Sequence, residues 1–242
     1  MNAHLALQFD AVRPELMAYL CRLVVRPQVA EDLVQTTFLR GIETADRLPP
    51  TTEGLRAWLF RVATNLAIDE LRRHSTWREK MILDLRESAE AKAAIVEQSR
   101  ALSGTPETRA IAREHLVACL ACTLRNLPER RAAALLLKEV HGFSVEEAAG
   151  MLDATPAQAK NWLQEARAVM TRRYGTTCAL LAKSGVCHQC VELDGFFAAH
   201  AGNPLVGDTS LDARLRIAAE LKDRPWGPWH RRIFALIEEL GP

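Results

Sequence analysis

Residues 144–167 read SVEEAAGMLDATPAQAKNWLQEAR, and this stretch decides the fold. Ser144-Val145-Glu146-Glu147 is a capping box: the hydroxyl and the carboxylate three residues on satisfy each other's backbone N–H groups and open a helix. Thr155-Pro156-Ala157-Gln158 is a second such box, with proline at the first helical position. Only Asp153-Ala154 separates the end of the first helix, near Leu152, from the second box. Two capped helices that close together form a helix-turn-helix. The second helix is expected to run to about Tyr174. Ala159, Leu163, Ala166 and Met170 recur at three- to four-residue spacing and mark its buried stripe. Gln158, Lys160, Asn161, Gln164 and Arg167 bring long polar donors to the same helix. An ordinary helical hairpin shares the caps, but donors of this length are what base edges and phosphates require.

The same periodicity extends upstream. Thr105-Pro106 starts a helix expected to end near Leu124, Asn126–Pro128 breaks the chain, and Glu129–Val140 resumes it up to a tight connection at His141-Gly142. Residues 75–104 are charged and Ala-rich, end at Ser103-Gly104, and read as a partly helical linker. Before them lie three helical stretches, about 5–25, 29–45 and 55–73. The second has apolar positions at Ala30, Leu33, Val34, Thr37, Phe38, Ile42 and Ala45. A polar loop, Arg47–Gly54 (RLPPTTEG), precedes the third. That helix places Leu55, Trp58, Leu59, Val62, Leu66 and Leu71 on one side and Arg56, Arg61, Asn65, Asp69, Arg72 and Arg73 on the other. Trp58 belongs to the apolar stripe and reads as core. The expected fold is all-α: two small helical domains, 1–74 and 105–174, joined by the linker 75–104, with a mostly helical C-terminal extension, 175–242.

Composition agrees. Aromatic residues are 6% of 242 while Ala, Leu, Glu and Arg dominate, which favours helix over sheet. No apolar run approaches the roughly 20 residues of a membrane span, and no secretory leader is visible at the N-terminus. A cytoplasmic chain is expected, so its six cysteines read as thiols or metal ligands rather than disulfides. Net charge is +1 overall, and by segment 0 over 1–74, −1 over 75–108, +3 over 109–174 and −1 over 175–242. Contact with nucleic acid must therefore come from local patches.

The strings Glu31-Asp32-Leu33-Val34-Gln35-Thr36-Thr37-Phe38-Leu39-Arg40 and Ala57–Arg73 (AWLFRVATNLAIDELRR) resemble region 2 of bacterial sigma factors of the extracytoplasmic-function (ECF) group. Leu127-Pro128-Glu129-Arg130-Arg131, followed by the helix-turn-helix, resembles region 4. The resemblance covers about residues 5–174 and implies a non-catalytic specificity subunit of core RNA polymerase that acts on promoter DNA and needs no cofactor for initiation. It implies that Asp32, Gln35, Thr36 and Arg40 dock on the polymerase. It also implies that the loop 47–54 and Arg56, Arg61, Asn65, Arg72 and Arg73 open and read the −10 element, where an extruded base needs a pocket and a single strand needs cations. The recognition helix departs from the usual pattern: Trp162 and Glu165 stand where arginines are usual. That loses two DNA contacts and adds a negative charge, so −35 binding is expected to be weak, altered in sequence, or dependent on another factor.

Residues 175–242 exceed the usual two-domain length. They hold Cys178, Cys187-His188-Gln189-Cys190 and His200. A Cys-x2-Cys turn can share one thiophilic ion between two thiolates, and Cys178, Cys187, Cys190 and His200 make a candidate zinc set, with His188, between the two cysteines, as the alternative fourth ligand. A redox thiol pair and buried thiols are the alternatives. Cys21, Cys119 and Cys122 fall on mostly apolar helical faces and read as core. Beyond Asn203-Pro204, Leu211–Leu221 and Trp229–Leu240 read as amphipathic helices around Arg224-Pro225-Trp226-Gly227-Pro228. Trp226, Trp229, Ile233, Phe234 and Ile237 need a packing partner. Docking on regions 2 and 4 would make the extension a built-in regulator, beside any separate anti-sigma protein. Two rival classes remain. A helix-turn-helix regulator that works without core polymerase has no use for the region-2 strings. A thiol or metal enzyme built on Cys187–Cys190 lacks a neighbouring H-x-E, a glycine-rich phosphate loop and a βαβ context.

Overall fold

The computed structural model describes residues 3–73, 106–177 and 210–227, and all regular structure among them is helical. Helix α1 spans Ala3–Val24, α2 Pro27–Glu43, and α3 Thr52–Arg73, with a short 3-10 turn at Ala45–Arg47. Then follow α4 (Pro106–Leu124), α5 (Glu129–Leu135) with a π turn over Leu136–Val140, α6 (Val145–Met151), α7 (Pro156–Thr177) and α8 (Leu211–Glu220).

The ends of these helices follow local chemistry. Both halves of the Ser144/Glu147 box form: Glu147 N donates to Ser144 Oγ (3.1 Å) and Ser144 N to Glu147 Oε2 (2.7 Å). The Thr155/Gln158 box forms in the same way. Helix α3 begins at Thr52, three residues before the expected start at Leu55, because the Thr51 hydroxyl accepts the Gly54 N–H (3.1 Å) and caps a turn that the Pro49-Pro50 pair had disguised as loop. Gly142, at φ 74, makes the left-handed turn that ends the π segment. Asp153, at φ 49, turns the chain between α6 and α7, a conformation that Asp tolerates better than most residues.

Helices α1, α2 and α3 pack on one another, and α7 packs on α5 and α6. The sequence suggests two separate domains, but the two groups join: α1 lies on α4, and α3 lies on α5 and α6. Helix α8 completes the body against α4, the π turn and α7. One apolar cluster therefore runs from Leu5 through Leu137 to Leu211, Leu215 and Trp226. The expected packing of the extension on regions 2 and 4 is present in this segment, where Trp226 is buried. The linker 75–104, the segment with Cys178, Cys187, Cys190 and His200, and the expected helix Trp229–Leu240 lie outside the described residues. Of the remaining cysteines, Cys21 is buried and Cys119 half-buried; the Cys122 side chain also lies outside the description. Among the described residues no group of His, Cys, Asp or Glu side chains could hold a metal, and no helix is long and apolar enough to cross a membrane.

Candidate polymerase and nucleic-acid interfaces

Helix α2 buries Ala30, Leu33, Val34, Thr37 and Gly41 against α1 and α3. That leaves Asp32, Gln35 and Arg40 exposed on its outer side. Thr36 is half-buried, and its hydroxyl donates to Asp32 O (2.8 Å), which spends its only proton inside the helix. The sequence reading missed part of this face. Leu39 is 57% exposed, and Ile42, expected in the apolar stripe, is 39% exposed. These two apolar side chains add to the polar outer side of α2.

The arginines of α3 divide into two sets. Arg72 and Arg73 are exposed at the helix C-terminus, near Asp69 (4.0 Å) and Glu70 (3.7 Å), and Asn65 is half-buried. Arg56 and Arg61, expected on a free polar face, are instead engaged. Arg61 Nη2 meets Asp153 Oδ1 across the seam between α3 and the α6–α7 turn (2.9 Å), with both side chains more than half exposed. Arg56 makes a two-pronged contact with Glu15 of α1, Nε to Oε2 at 3.0 Å and Nη2 to Oε1 at 2.6 Å. It also donates to His141 O (2.9 Å), and its guanidinium lies over the Phe143 ring at 4.1 Å. The sequence patterns Arg56 as polar because it sits off the leucine stripe. The third packing direction, toward α1 and the α5–α6 turn, is not visible in the periodicity of α3 alone.

Glu15 anchors this seam. Its side chain is 11% exposed and faces Arg56, the His141 ring (Nδ1 to Oε1, 3.1 Å) and Lys222 Nζ (3.7 Å). Burial works to raise its pKa, but the hydrogen bonds from His141 and Arg56 and their charge outweigh it and lower the value to about 2. Burial also pushes the His141 imidazole down to about 4, against the upward pull of Glu15. His141 is therefore neutral at pH 7. Since the carboxylate only accepts, the ring proton sits on Nδ1. Aromatic packing surrounds the pair: Tyr19 and Phe60 each lie 5.2 Å from the His141 ring, and Phe60 lies 5.0 Å from Phe143. The Thr64 hydroxyl donates to Phe60 O (2.6 Å), so Tyr19 must donate to Thr64 Oγ1 (2.8 Å). Neither Glu15 nor His141 carries a motif, so sequence reading had no signal for them.

On α7 the expected buried stripe is in place, with Ala159, Leu163, Ala166 and Met170 all buried. Lys160, Asn161 and Gln164 are exposed together near the N-terminal half. Gln158 is exposed but gives its carbonyl oxygen to the Thr155 N–H (2.8 Å), so its first task is the cap. The two unusual residues have local partners. Arg130 lies over the Trp162 ring at 6.0 Å, and Arg131 meets Glu165 at 2.7 Å, so the extra negative charge is compensated from α5. Arg167, expected to face DNA, is instead held between Glu139 (3.2 Å) and Asp212 of α8.

Taken together, the described residues form a helical protein with a mixed polar and apolar outer side on α2 and a helix-turn-helix whose second helix exposes Lys160, Asn161 and Gln164. Comparison with known families agrees part by part. Residues 8–76 match sigma-70 region 2, and residues 118–170 match sigma-70 region 4. The chain is 29% identical to RNA polymerase sigma factor CarQ of Myxococcus xanthus, over 61% of this chain and 75% of that one. It is 28% identical to ECF RNA polymerase sigma factor EcfG of Rhodopseudomonas palustris, over 66% of this chain and 80% of that one. With ECF RNA polymerase sigma factor SigG of Mycobacterium tuberculosis it shares 30% identity over 65% of its own length, and it spans less than half of that protein, 45%. The chain belongs to the sigma-70 family, in its ECF group.

Proposed function

We propose that this chain directs core RNA polymerase to specific promoters and starts transcription there, as a non-catalytic subunit. One observation carries the reading: a region-2 unit and a region-4 helix-turn-helix occur in one chain, in that order. A regulator that binds duplex DNA without polymerase needs only the second unit. The docking surface is the outer side of α2, with Asp32, Gln35, Thr36 and Arg40 as the polar contacts. The −10 element is opened and read from α3, through Asn65, Arg72 and Arg73 first, with Arg56 and Arg61 joining once they leave Glu15 and Asp153. The −35 element is met by α7, through Lys160, Asn161 and Gln164 first, with Gln158 at the cap and Arg167 when it is released. A polymerase subunit works in the cytoplasm. Initiation needs no cofactor of its own.

The reading extends to the C-terminal segment. The extension sets the activity of the two units it touches, and Cys178, Cys187, Cys190 and His200 hold zinc there. The support for the metal is the spacing of thiolates in the sequence alone. Elemental analysis of purified protein tests it, and a metal-free, fully active protein would end it. The central claim is tested by run-off transcription with core polymerase and the chain's own upstream region. Initiation at a defined start is expected. A protein that neither binds core polymerase nor supports initiation in any metal-loaded state would overturn the reading.

A further inference from the structure

Helix α8 is fastened at its two ends to two different units. At its C-terminal end, where backbone carbonyls lack intrahelical partners, the Arg22 guanidinium of α1 donates to the carbonyl oxygens of Leu221, Lys222 and Arg224. Arg22 is 1% exposed, and burial lowers its pKa only to about 10, so it stays cationic and suits the negative end of the helix. At its N-terminal end Ser210 caps Ala213 N (3.2 Å), and the same first turn brings Asp212 to Arg167 on the recognition helix. Between the ends Leu211, Leu215, Ile217 and Ala218 are buried. Arg113 with Glu220, and Gly227 N with Glu114, add two fastenings to α4. Lys222 reaches the Glu15 cluster.

We infer that residues 210–227 are an in-chain competitor of promoter DNA, in which the Asp212 carboxylate holds the guanidinium that Arg167 would give to a backbone phosphate while Arg22 ties the same segment to region 2. The inference rests on reading α7 as the −35 helix. Its chemistry is substitution of one anion for another. A carboxylate and a phosphate oxygen both accept charge-assisted hydrogen bonds from guanidinium, and with Glu139 on Nη1 and Asp212 on Nη2 a phosphate must displace one of them. The pair is solvent-facing, with 37% of Arg167 and 71% of Asp212 exposed, so DNA at low salt can displace it.

The test uses full-length protein and the variant Asp212→Asn, which keeps the volume of α8 and removes its charge. The probe is a mixed-sequence 25-base-pair duplex, since phosphate contacts do not depend on sequence. Fluorescence anisotropy across a salt series should show about two- to fivefold tighter binding for the variant, the range that an exposed ion pair permits. The slope of log affinity on log salt should steepen by about one as Arg167 gains a phosphate. In an Arg167→Ala background the same substitution should gain nothing beyond the small effect of one fewer negative charge. Equal affinities and slopes for wild type and variant would overturn the inference, as would a gain that survives unchanged without Arg167. Core-polymerase binding by each protein separates the two levels. Holoenzyme that forms and initiates while Asp212→Asn leaves DNA binding unchanged defeats the competitor alone. Loss of holoenzyme in the wild type defeats the sigma reading beneath it.

Discussion

Helices α2 and α3 lie side by side in one bundle, yet their functional faces are in opposite states. The outer side of α2 is open, with Leu39 and Ile42 in solvent beside Asp32, Gln35 and Arg40. The working face of α3 is occupied, with Arg56 on Glu15 and Arg61 on Asp153. Helix α7 follows α3, since its Arg167 is taken by Glu139 and Asp212. The difference has a physical source. An apolar and polar face on α2 costs little to leave in water, and among the described residues it stays exposed. Arginines attract carboxylates wherever the fold supplies them, and a compact chain supplies its own. This fold thus leaves the outer side of α2 open while its own carboxylates engage part of its arginines.

The comparison breaks most readily at Glu15. Glu15→Ala leaves Arg56 and His141 without their acceptor at a nearly buried seam, and should cost about 2–4 kcal/mol in denaturant unfolding. Asp32→Ala on the open face should change stability by no more than about 0.5 kcal/mol while weakening core-polymerase binding. Similar losses of stability in both variants would mean that the two faces do not differ as described.

Acid provides the next largest effect. His141 has its pKa lowered to about 4, and Glu15 to about 2, so the unfolded or opened chain binds protons that the closed form does not. Stability tied to these groups is complete above about pH 6.5, the ordinary histidine value. It falls as pH drops through the window from 6.5 to 4, at up to about 1.4 kcal/mol per pH unit. Glu15 adds its own loss from its ordinary value of 4.5 down to about 2. Urea midpoints measured at pH 7.5 and 5 should show the drop. His141→Gln should flatten the upper part of the profile, and an unchanged profile would remove His141 from the seam.

Much of this was legible in the sequence, and the boundary is instructive. Local rules gave the capping boxes at Ser144 and Thr155, the stripe Ala159–Met170, and the helix from Leu211, because each is set by neighbours within one or two turns. The joining of region 2 to region 4 was not legible. It depends on Glu15 reaching His141, 126 positions away, just as the extension is tied to region 2 by Arg22 reaching Leu221, 199 positions away. Nothing in the periodicity of either partner encodes such a distance. Arg56 shows the cost: patterned as a surface donor, it lies at the centre of the seam. Ile42 shows the reverse, an apolar residue at a helical spacing that the fold leaves outside.

A smaller effect sharpens the contrast within α3 itself. Asn65, Arg72 and Arg73 lie beyond the occupied Arg56 and Arg61, toward the helix C-terminus. Asn65→Ala or Arg72→Ala should reduce promoter opening, by about 1 kcal/mol for one polar contact, and leave core-polymerase affinity unchanged. Permanganate reactivity of the −10 strand against a core pull-down separates the two. Equal losses in both assays would assign these residues to docking or folding instead.

The finest distinction is between Lys160 and Arg167, two cations on the same recognition helix. Lys160 is exposed, seven positions before an arginine that already holds two carboxylates. A lysine that meets a phosphate gives up one condensed counterion's worth of salt dependence. Lys160→Ala should therefore weaken binding about uniformly across DNA sequences and reduce the salt slope by about one. Arg167→Ala in the otherwise intact chain should reduce the slope by clearly less, because its guanidinium must first leave Asp212 and Glu139 and is satisfied by them when DNA is absent. The measurement is the same anisotropy titration over a salt series, run on both variants. A full loss of slope in Arg167→Ala would mean that DNA displaces the carboxylates without resistance. An unchanged slope in Lys160→Ala would take the exposed half of α7 out of the DNA interface altogether. The expected inequality ties the open and occupied faces to one number, and it is small because both side chains border on water, where charge is cheap to keep.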